Sequence, residues 1–248
     1  GKVKITAVSG SEKADSDVEL DVRNPNPVVS NVLSATVAAG QRWNGSVVPI
    51  GIPANTKATL EISGIPPINL EKRLNYLIVY PYGCLEQNTS AVFPQLVLNQ
   101  LVDLSERRKA DIGKNVRSAI ERFKEFQRPD GGFSYWMGIT DSDEWGTNYA
   151  GHFLLIAREK GYIVPVEMLQ QWTTYQRGKA NAWMPSTSNF YGEDLTQAYR
   201  LFLLALAKSP EIGAMNRLKE FQYLSPEAKW RLAAAYQLTG QHKTAESL

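Results

Sequence analysis

The chain has 248 residues, 43% of them hydrophobic and 21% charged, with a formal net charge of +2. That mixture fits one large or two ordinary globular domains and excludes a wholly disordered, collagenous or coiled-coil chain. The near-neutral balance gives no electrostatic case for nucleic acid or an anionic membrane as the main partner, and a single cysteine, Cys84, excludes internal disulfides and zinc sites of two or more cysteines.

Residues 1–67 read as β structure. Val3, Ile5 and Ala7 alternate with Lys4 and Thr6, and Val18, Leu20 and Val22 alternate with Glu19 and Asp21. A period of two with one wet face predicts strands. Asn24-Pro25-Asn26-Pro27 is a turn cluster, Val28–Val37 a further extended run, Asn44-Gly45 a hairpin turn, and Lys57–Ile62 alternates again. Ile65-Pro66-Pro67 marks a boundary, after which the period changes. Leu70, Leu74, Leu77 and Ile78 follow helical spacing, as do Ile112, Val116, Ala119, Ile120, Phe123 and Phe126. Phe153 to Ala157, Leu195 to Leu206, Leu218-Phe221-Leu224 and Trp230 to Leu238 repeat it. Pro165 stands at a helix start, and Ser225-Pro226 is a cap followed by proline at the first helical position. About eight helices are expected over 68–248, several with two apolar faces suited to layered packing. The longest apolar runs, such as Leu201–Ala207, fall well short of the roughly 20 residues of a membrane span. No signal peptide is visible in Gly1-Lys2-Val3-Lys4.

The cysteine lies in Tyr80-Pro81-Tyr82-Gly83-Cys84-Leu85-Glu86-Gln87-Asn88-Thr89-Ser90. Tyr80-Pro81 ends one helix, because the residue before proline avoids the α region. Gly83 permits a sharp turn, and Cys84 stands at the start of the next helix. The positive end of a helix dipole favours thiolate. Gln87, three residues on, lies on the same side of the turn. Sulfur and carboxamide can therefore meet, and displacement of ammonia by the thiolate would leave an internal thioester.

Gly83-Cys84-Leu85-Glu86-Gln87 resembles the thioester signature of the alpha-2-macroglobulin and complement family. The flank Tyr80-Pro81-Tyr82 strengthens the resemblance, and Gln87-Asn88-Thr89-Ser90 resembles its bacterial branch. Asp130-Gly131-Gly132-Phe133-Ser134-Tyr135-Trp136 resembles a repeat of α/α-toroid domains. The resemblance implies a multi-domain β plus all-α architecture. Residues 1–67 would be an antiparallel β-sandwich segment, the first part of a split CUB-type sandwich. Residues 68–248 would be an incomplete α/α toroid of helix hairpins, a piece of a longer chain. It implies a protease inhibitor rather than a turnover enzyme, with Cys84 supplying the thioester sulfur and Gln87 the acyl carbon. Gly83 and Glu86 belong to the signature, and Tyr80 and Tyr82 would shield the bond from water. The implied partners are target proteases, joined covalently through their amines, and the remaining domains of the parent protein. No metal or cofactor is implied. The implied location is the periplasm or cell envelope, with a membrane reached only through an anchor outside this chain.

Some family members use a distant histidine to favour hydroxyl acceptors. The matching stretch here, Phe190-Tyr191-Gly192-Glu193-Asp194, has none. His152 has the apolar neighbours of a packing residue, and His242 lies in a polar stretch. Amines are therefore the expected acceptors. Asp141, Asp143 and Glu144 lack the spacing of a calcium loop and read as a helix-capping acidic loop. Glu106-Arg107-Arg108-Lys109 reads as a solvated helix end. Asn44-Gly45-Ser46 and Asn88-Thr89-Ser90 match a glycosylation pattern. Three other functions remain open on the residues: an α/α-toroid enzyme, a binding module with a free cysteine, and a hydrolase using Cys84 with His152.

Overall fold

Lys2–Ser9 (β1) and Glu12–Glu19 (β2) form an antiparallel hairpin in which Val3 pairs with Val18, Ile5 with Ser16 and Ala7 with Ala14. Gly10-Ser11 closes it. Gly10 has a positive φ of 62°. That is the first position of a II′ turn, whose twist matches that of the strands. The alternation sorts the faces. Lys2 pairs with Asp17 at 2.9 Å and Lys4 with Asp15 at 3.3 Å on one face, while Val3, Ile5 and Val18 occupy the other.

The structure is a computed structural model that describes residues 1–21, 27, 29–52, 56–62, 64, 74, 76–185 and 193–248. The chain divides into two units, Gly1–Pro67 and Ile68–Leu248. Among the described residues the hairpin is the whole sheet, so a β-sandwich is not formed within them. The runs expected as extended, Val28–Val37 and Lys57–Ile62, carry no ladder among their described residues. Alternation is rewarded only when a partner edge takes the backbone bonds and one face is buried; here Val29, Val32, Val47 and Leu60 all stay exposed. Asn44-Gly45 is not a hairpin turn either. Neither residue has the positive φ such a turn needs. The Trp43 indole lies over Gly45, where a Cβ would sit 2.3 Å from the ring. Val22, Asn24 to Asn26, Val28, Pro66-Pro67 and Leu70 lie outside the described residues.

Eight α-helices are described in the second unit. They are α1 Leu85–Val92, α2 Glu106–Phe126, α3 Glu144–Glu159, α4 Val166–Ala182, α5 Glu193–Leu206, α6 Ile212–Lys219, α7 Pro226–Leu238 and α8 His242–Glu246. Short 3-10 turns at Pro94–Leu96 and Leu98–Gln100 join α1 to α2. The predicted stripe of α2 is the buried one, from Ile112 through Phe123 to Phe126. Its N-terminus is capped by Ser105, and that of α7 by Ser225 ahead of Pro226. The helix expected through Leu218, Phe221 and Leu224 ends earlier, at Lys219. Phe221 instead packs edge-on against Trp183 and Tyr223 in the connection to α7.

Two apolar clusters hold the helices. One gathers α1, α2, α3 and the start of α4 around Leu85, Phe123, Phe126, Phe133, Phe153 and Trp172. The other gathers α5, α6 and α7 around Leu201, Leu204, Met215, Leu232 and Tyr236. Phe202 packs against both. A buried polar seam runs between α3, α4 and α5. Arg200 donates to Gln176 at 3.0 Å and to Glu144 at 2.7 Å, while Gln176 donates to Asn148 at 2.7 Å. These donors all find acceptors, as burial of polar groups requires.

Candidate functional site

Cys84 is the N-cap of α1. Its backbone is extended, φ −70° and ψ 174°, and the helix begins at Leu85. The usual capping box pairs a Ser or Thr hydroxyl with a Glu or Gln three residues later, each side chain bonding the other's backbone N–H. Here sulfur takes the place of the hydroxyl. Gln87 Oε1 accepts from the Cys84 N–H at 3.1 Å, and the Gln87 N–H faces the Cys84 side chain. Sulfur is a weak acceptor, so the Gln87 half carries most of the box. Thiol and carboxamide are thus brought together by the ordinary geometry of a helix start.

Gly83 leaves the space. Its φ is +90°, a backbone that other residues adopt only with strain. A Cβ at Gly83 would lie 2.0 Å from Gln87 Oε1. Asn88, fully buried, pins the turn from inside. Its amide donates to the Gly83 carbonyl at 2.8 Å and to the Cys84 carbonyl at 2.9 Å. Its Oδ1 accepts from Arg122 Nε of α2 at 3.1 Å. With that amide committed in the interior, Asn88 is not a glycan acceptor. Cys84 is only 3% exposed, whereas Gln87 faces outward.

The Asp130–Trp136 loop reaches the same point. Phe133 is buried and its N–H donates to Thr147 Oγ1 at 2.8 Å, while the Ser134 N–H donates to the Phe126 carbonyl at 2.9 Å. So anchored, the loop lets the Tyr135 carbonyl accept from the Leu85 N–H at 3.0 Å. This satisfies a donor left free at the helix start. The Cys84 side chain, then burial, raises the Tyr135 phenol above its usual pKa.

The remaining predicted residues lie around this centre. Glu86, in the first turn, accepts from Ser90 Oγ at 2.6 Å, and Ser90 Oγ lies 3.3 Å from the Tyr149 hydroxyl. Tyr80 and Tyr82 meet in a tilted contact with centroids 4.5 Å apart and are 37% and 69% exposed. His152 is not drawn into the site. Its Nδ1 is 2.9 Å from the Tyr199 hydroxyl, and its ring meets Phe93, Tyr199 and Phe202 edge-on. Burial, then the Arg231 charge, pushes its pKa down to about 4. His242 is exposed beside Gln237.

Asp143 caps α3, its Oδ1 accepting from the Gly146 N–H at 2.6 Å, and Glu144 pairs with Lys179 and Arg200. Asp194 accepts from the Ser225 N–H at 2.7 Å; Phe190 to Gly192 lie outside the described residues. The Arg107–Lys109 run sits at the exposed start of α2. Among the described residues no three His, Cys, Asp or Glu side chains converge as metal ligands. Asn88, Arg122 and Tyr135 join the site without having been singled out from the sequence. Asn88 stands within the signature's continuation, and Tyr135 stands in the Gly-Gly loop that resembles a toroid repeat.

The packed helices of the second unit and the Cys-Gln box at a helix start are the features of a thioester domain. The family profile described as the A-macroglobulin TED domain matches residues 59–181. The alpha-2-macroglobulin of Escherichia coli (strain K12) is 30% identical over 233 residues, which are 86% of this chain and 14% of that protein. The crystal structure of Salmonella alpha-2-macroglobulin reacted with methylamine superposes with a TM-score of 0.62 at 28% identity, over 75% of this chain and 13% of that one. Escherichia coli alpha-2-macroglobulin activated by porcine elastase gives 0.58 at 28% identity, over 75% and 18%. The chain belongs to the bacterial alpha-2-macroglobulin family and corresponds to its thioester-domain region, so the helical unit is part of an α/α toroid. It spans about one seventh of the length of that Escherichia coli relative (14%).

Proposed function

We propose that this chain carries the reactive centre of a protease-trapping protein, an internal thioester between Cys84 Sγ and Gln87 Cδ. The reciprocal capping of Cys84 and Gln87, with Gly83 clearing space for the carboxamide, carries this reading. An amine of a captured protease attacks the Gln87 acyl carbon, an amide forms and the Cys84 sulfur leaves. The event occurs once per molecule, so the protein acts as an inhibitor and not as a turnover enzyme. Relatives solved after reaction with methylamine and after activation by elastase support amine acceptors and protease partners. Amines rather than hydroxyls are the acceptors, because His152 is held by Tyr199 within an aromatic cluster. Glu86 orients the first turn of α1 through Ser90, and Tyr80 and Tyr82 form an aromatic flank that limits water at the bond. Residues 1–67 are the first part of a CUB-type β domain, and the parent acts in the periplasm or cell envelope.

The test is intact mass. Thioester formation expels ammonia, so the mass is about 17 Da below that of the free side chains, and methylamine opens the bond with a new thiol. Cys84→Ala and Gln87→Ala abolish both changes and the covalent protease conjugate in the full-length parent. A conjugate that survives either substitution there overturns the reading.

A further inference from the structure

The proposed reaction puts negative charge on Gln87 Oε1, and the structure already places a donor beside that oxygen. The Cys84 backbone N–H lies 3.1 Å from it. What aims this N–H comes from elsewhere in the fold. Asn88 Nδ2 donates to the Gly83 carbonyl at 2.8 Å and to the Cys84 carbonyl at 2.9 Å. These carbonyls belong to the peptide units on either side of Cys84, so one side-chain amide holds both its φ and its ψ. In a planar trans peptide the C=O and the N–H point in opposite directions. Holding the Gly83 carbonyl inward, on the fully buried Asn88, therefore turns the Cys84 N–H outward to Gln87. The orientation of Asn88 is forced in turn. Arg122 Nε can only donate, and it lies 3.1 Å from Asn88 Oδ1. With the Asn88 oxygen on the guanidinium, its nitrogen must face the two carbonyls. The Leu85 N–H does not compete for Oε1, because it is committed to the Tyr135 carbonyl at 3.0 Å.

We infer that the Cys84 backbone N–H is a catalytic oxyanion donor of the thioester, and that Asn88 and Arg122 are the positioning residues that aim it. The inference rests on the thioester reading above. In aminolysis the amine nitrogen bonds to Gln87 Cδ, and the C=O π pair moves onto Oε1. That pair then returns, and the Cδ–Sγ bond breaks with its electrons going to sulfur. The surplus proton on nitrogen passes to solvent, and the thiolate is protonated from solvent. Oε1 is the oxygen retained when ammonia is expelled. Formation of the bond, in which the thiol proton leaves on that ammonia, therefore passes through the same charge. A donor already in place costs no reorganisation as the charge develops. Hydrogen bonds in a chain polarise one another, so the run from Arg122 through Asn88 to the Gly83 carbonyl strengthens the N–H at its far end.

The experiment compares wild type, Arg122→Met and Arg122→Lys in the full-length parent. Each is checked for fold by thermal melting and for the thioester by intact mass, and methylamine then opens the bond under single-turnover conditions. Arg122→Met leaves the Asn88 amide free to turn over. It is expected to react about tenfold more slowly, below the roughly 100- to 1,000-fold cost of removing an oxyanion donor outright. Arg122→Lys, which also only donates, is expected to restore most of the rate. Equal rates in thioester-bearing wild type and Arg122→Met overturn the inference, and so does a rate equally slow in Arg122→Lys. An Arg122→Met parent that melts normally yet never expels ammonia supports it, since formation needs the same donor. A second arm does not depend on the thioester. Cys84 is the one cysteine of this chain, so ¹⁵N-cysteine labelling gives a single amide signal. In the free-thiol chain, Gln87→Ala and Arg122→Met are both expected to move the Cys84 amide proton upfield and speed its exchange. An unchanged signal in either variant overturns the inference. If the wild-type parent shows no loss of ammonia, the thioester reading fails by itself, and the labelled amide alone decides whether Arg122 aims the Cys84 N–H at Gln87.

Discussion

Replacing Gly83 by alanine would set a methyl group where the Gln87 carboxamide lies, on a backbone with φ +90°. The side chain of Gln87 can swing away, so the fold survives at a strain of about 1–3 kcal/mol, but the box opens. Gly83→Ala is therefore expected to keep its helical circular dichroism, melt several degrees lower, and incorporate little methylamine. Normal incorporation would show that the box does not position the acyl group. Asn88→Ala removes three hydrogen bonds from a buried place. It is expected to lose about 2–4 kcal/mol, seen as a lower denaturant midpoint. The difference in visibility between these residues has a physical cause. Cys84 and Gln87 meet through a single turn of helix, a relation that spacing alone reveals. Arg122 and Tyr135 reach the same turn through tertiary packing of α2 and of the loop before α3, which no local period encodes.

At the scale of elements, helices are easier to anticipate than strands. Ile112 to Phe126 form a stripe whose partners can lie anywhere on neighbouring helices, so the period survives whatever packs on it. Val28 to Val37 reads as an extended run and Lys57 to Ile62 alternates, but a strand exists only when a second strand accepts its backbone bonds. Helix α3 carries a further prediction. His152 has a folded pKa of about 4 against about 6.5 when free. Between those values the unfolded chain binds a proton that the folded chain does not. Its stabilising contribution is complete above pH 6.5 and is lost as the pH falls toward 4, on the order of 3 kcal/mol in all. Chemical denaturation from about pH 7 to about pH 4.5 should show this decline, and His152→Gln should flatten it. An unchanged slope in the variant would place the acid sensitivity elsewhere. The seam between α3, α4 and α5 has a separate signature. Glu144→Ala leaves the buried Arg200 guanidinium without its carboxylate. Because Glu144 is itself half-exposed, the expected loss is about 1–3 kcal/mol, below that of a fully buried pair.

At the scale of the molecule the two units differ in how they are held. The helical unit has two apolar clusters, while every residue of the β1–β2 hairpin is exposed. A lone two-stranded hairpin is marginal in water. Amide hydrogen exchange on the whole chain should therefore show rapid exchange across β1 and β2 and slow exchange in α2 and α5. Comparable protection in the two units would mean that the hairpin gains support beyond its own cross-strand pairs.

The capping box has one more consequence, which concerns how α1 starts. A helix must fix its first turn before any residue adds a bond cheaply, and that nucleus is the costly part. Under the proposed chemistry, joining Sγ of Cys84 to Cδ of Gln87 closes a covalent ring around this first turn. The ring would act as a built-in nucleus, leaving only propagation from Asn88 to Val92. Aminolysis would cut it and return the task to hydrogen bonds. The reactive bond would then store order as well as acyl-transfer potential, and its opening would be felt along the helix as a loosening that starts at the very residue under attack.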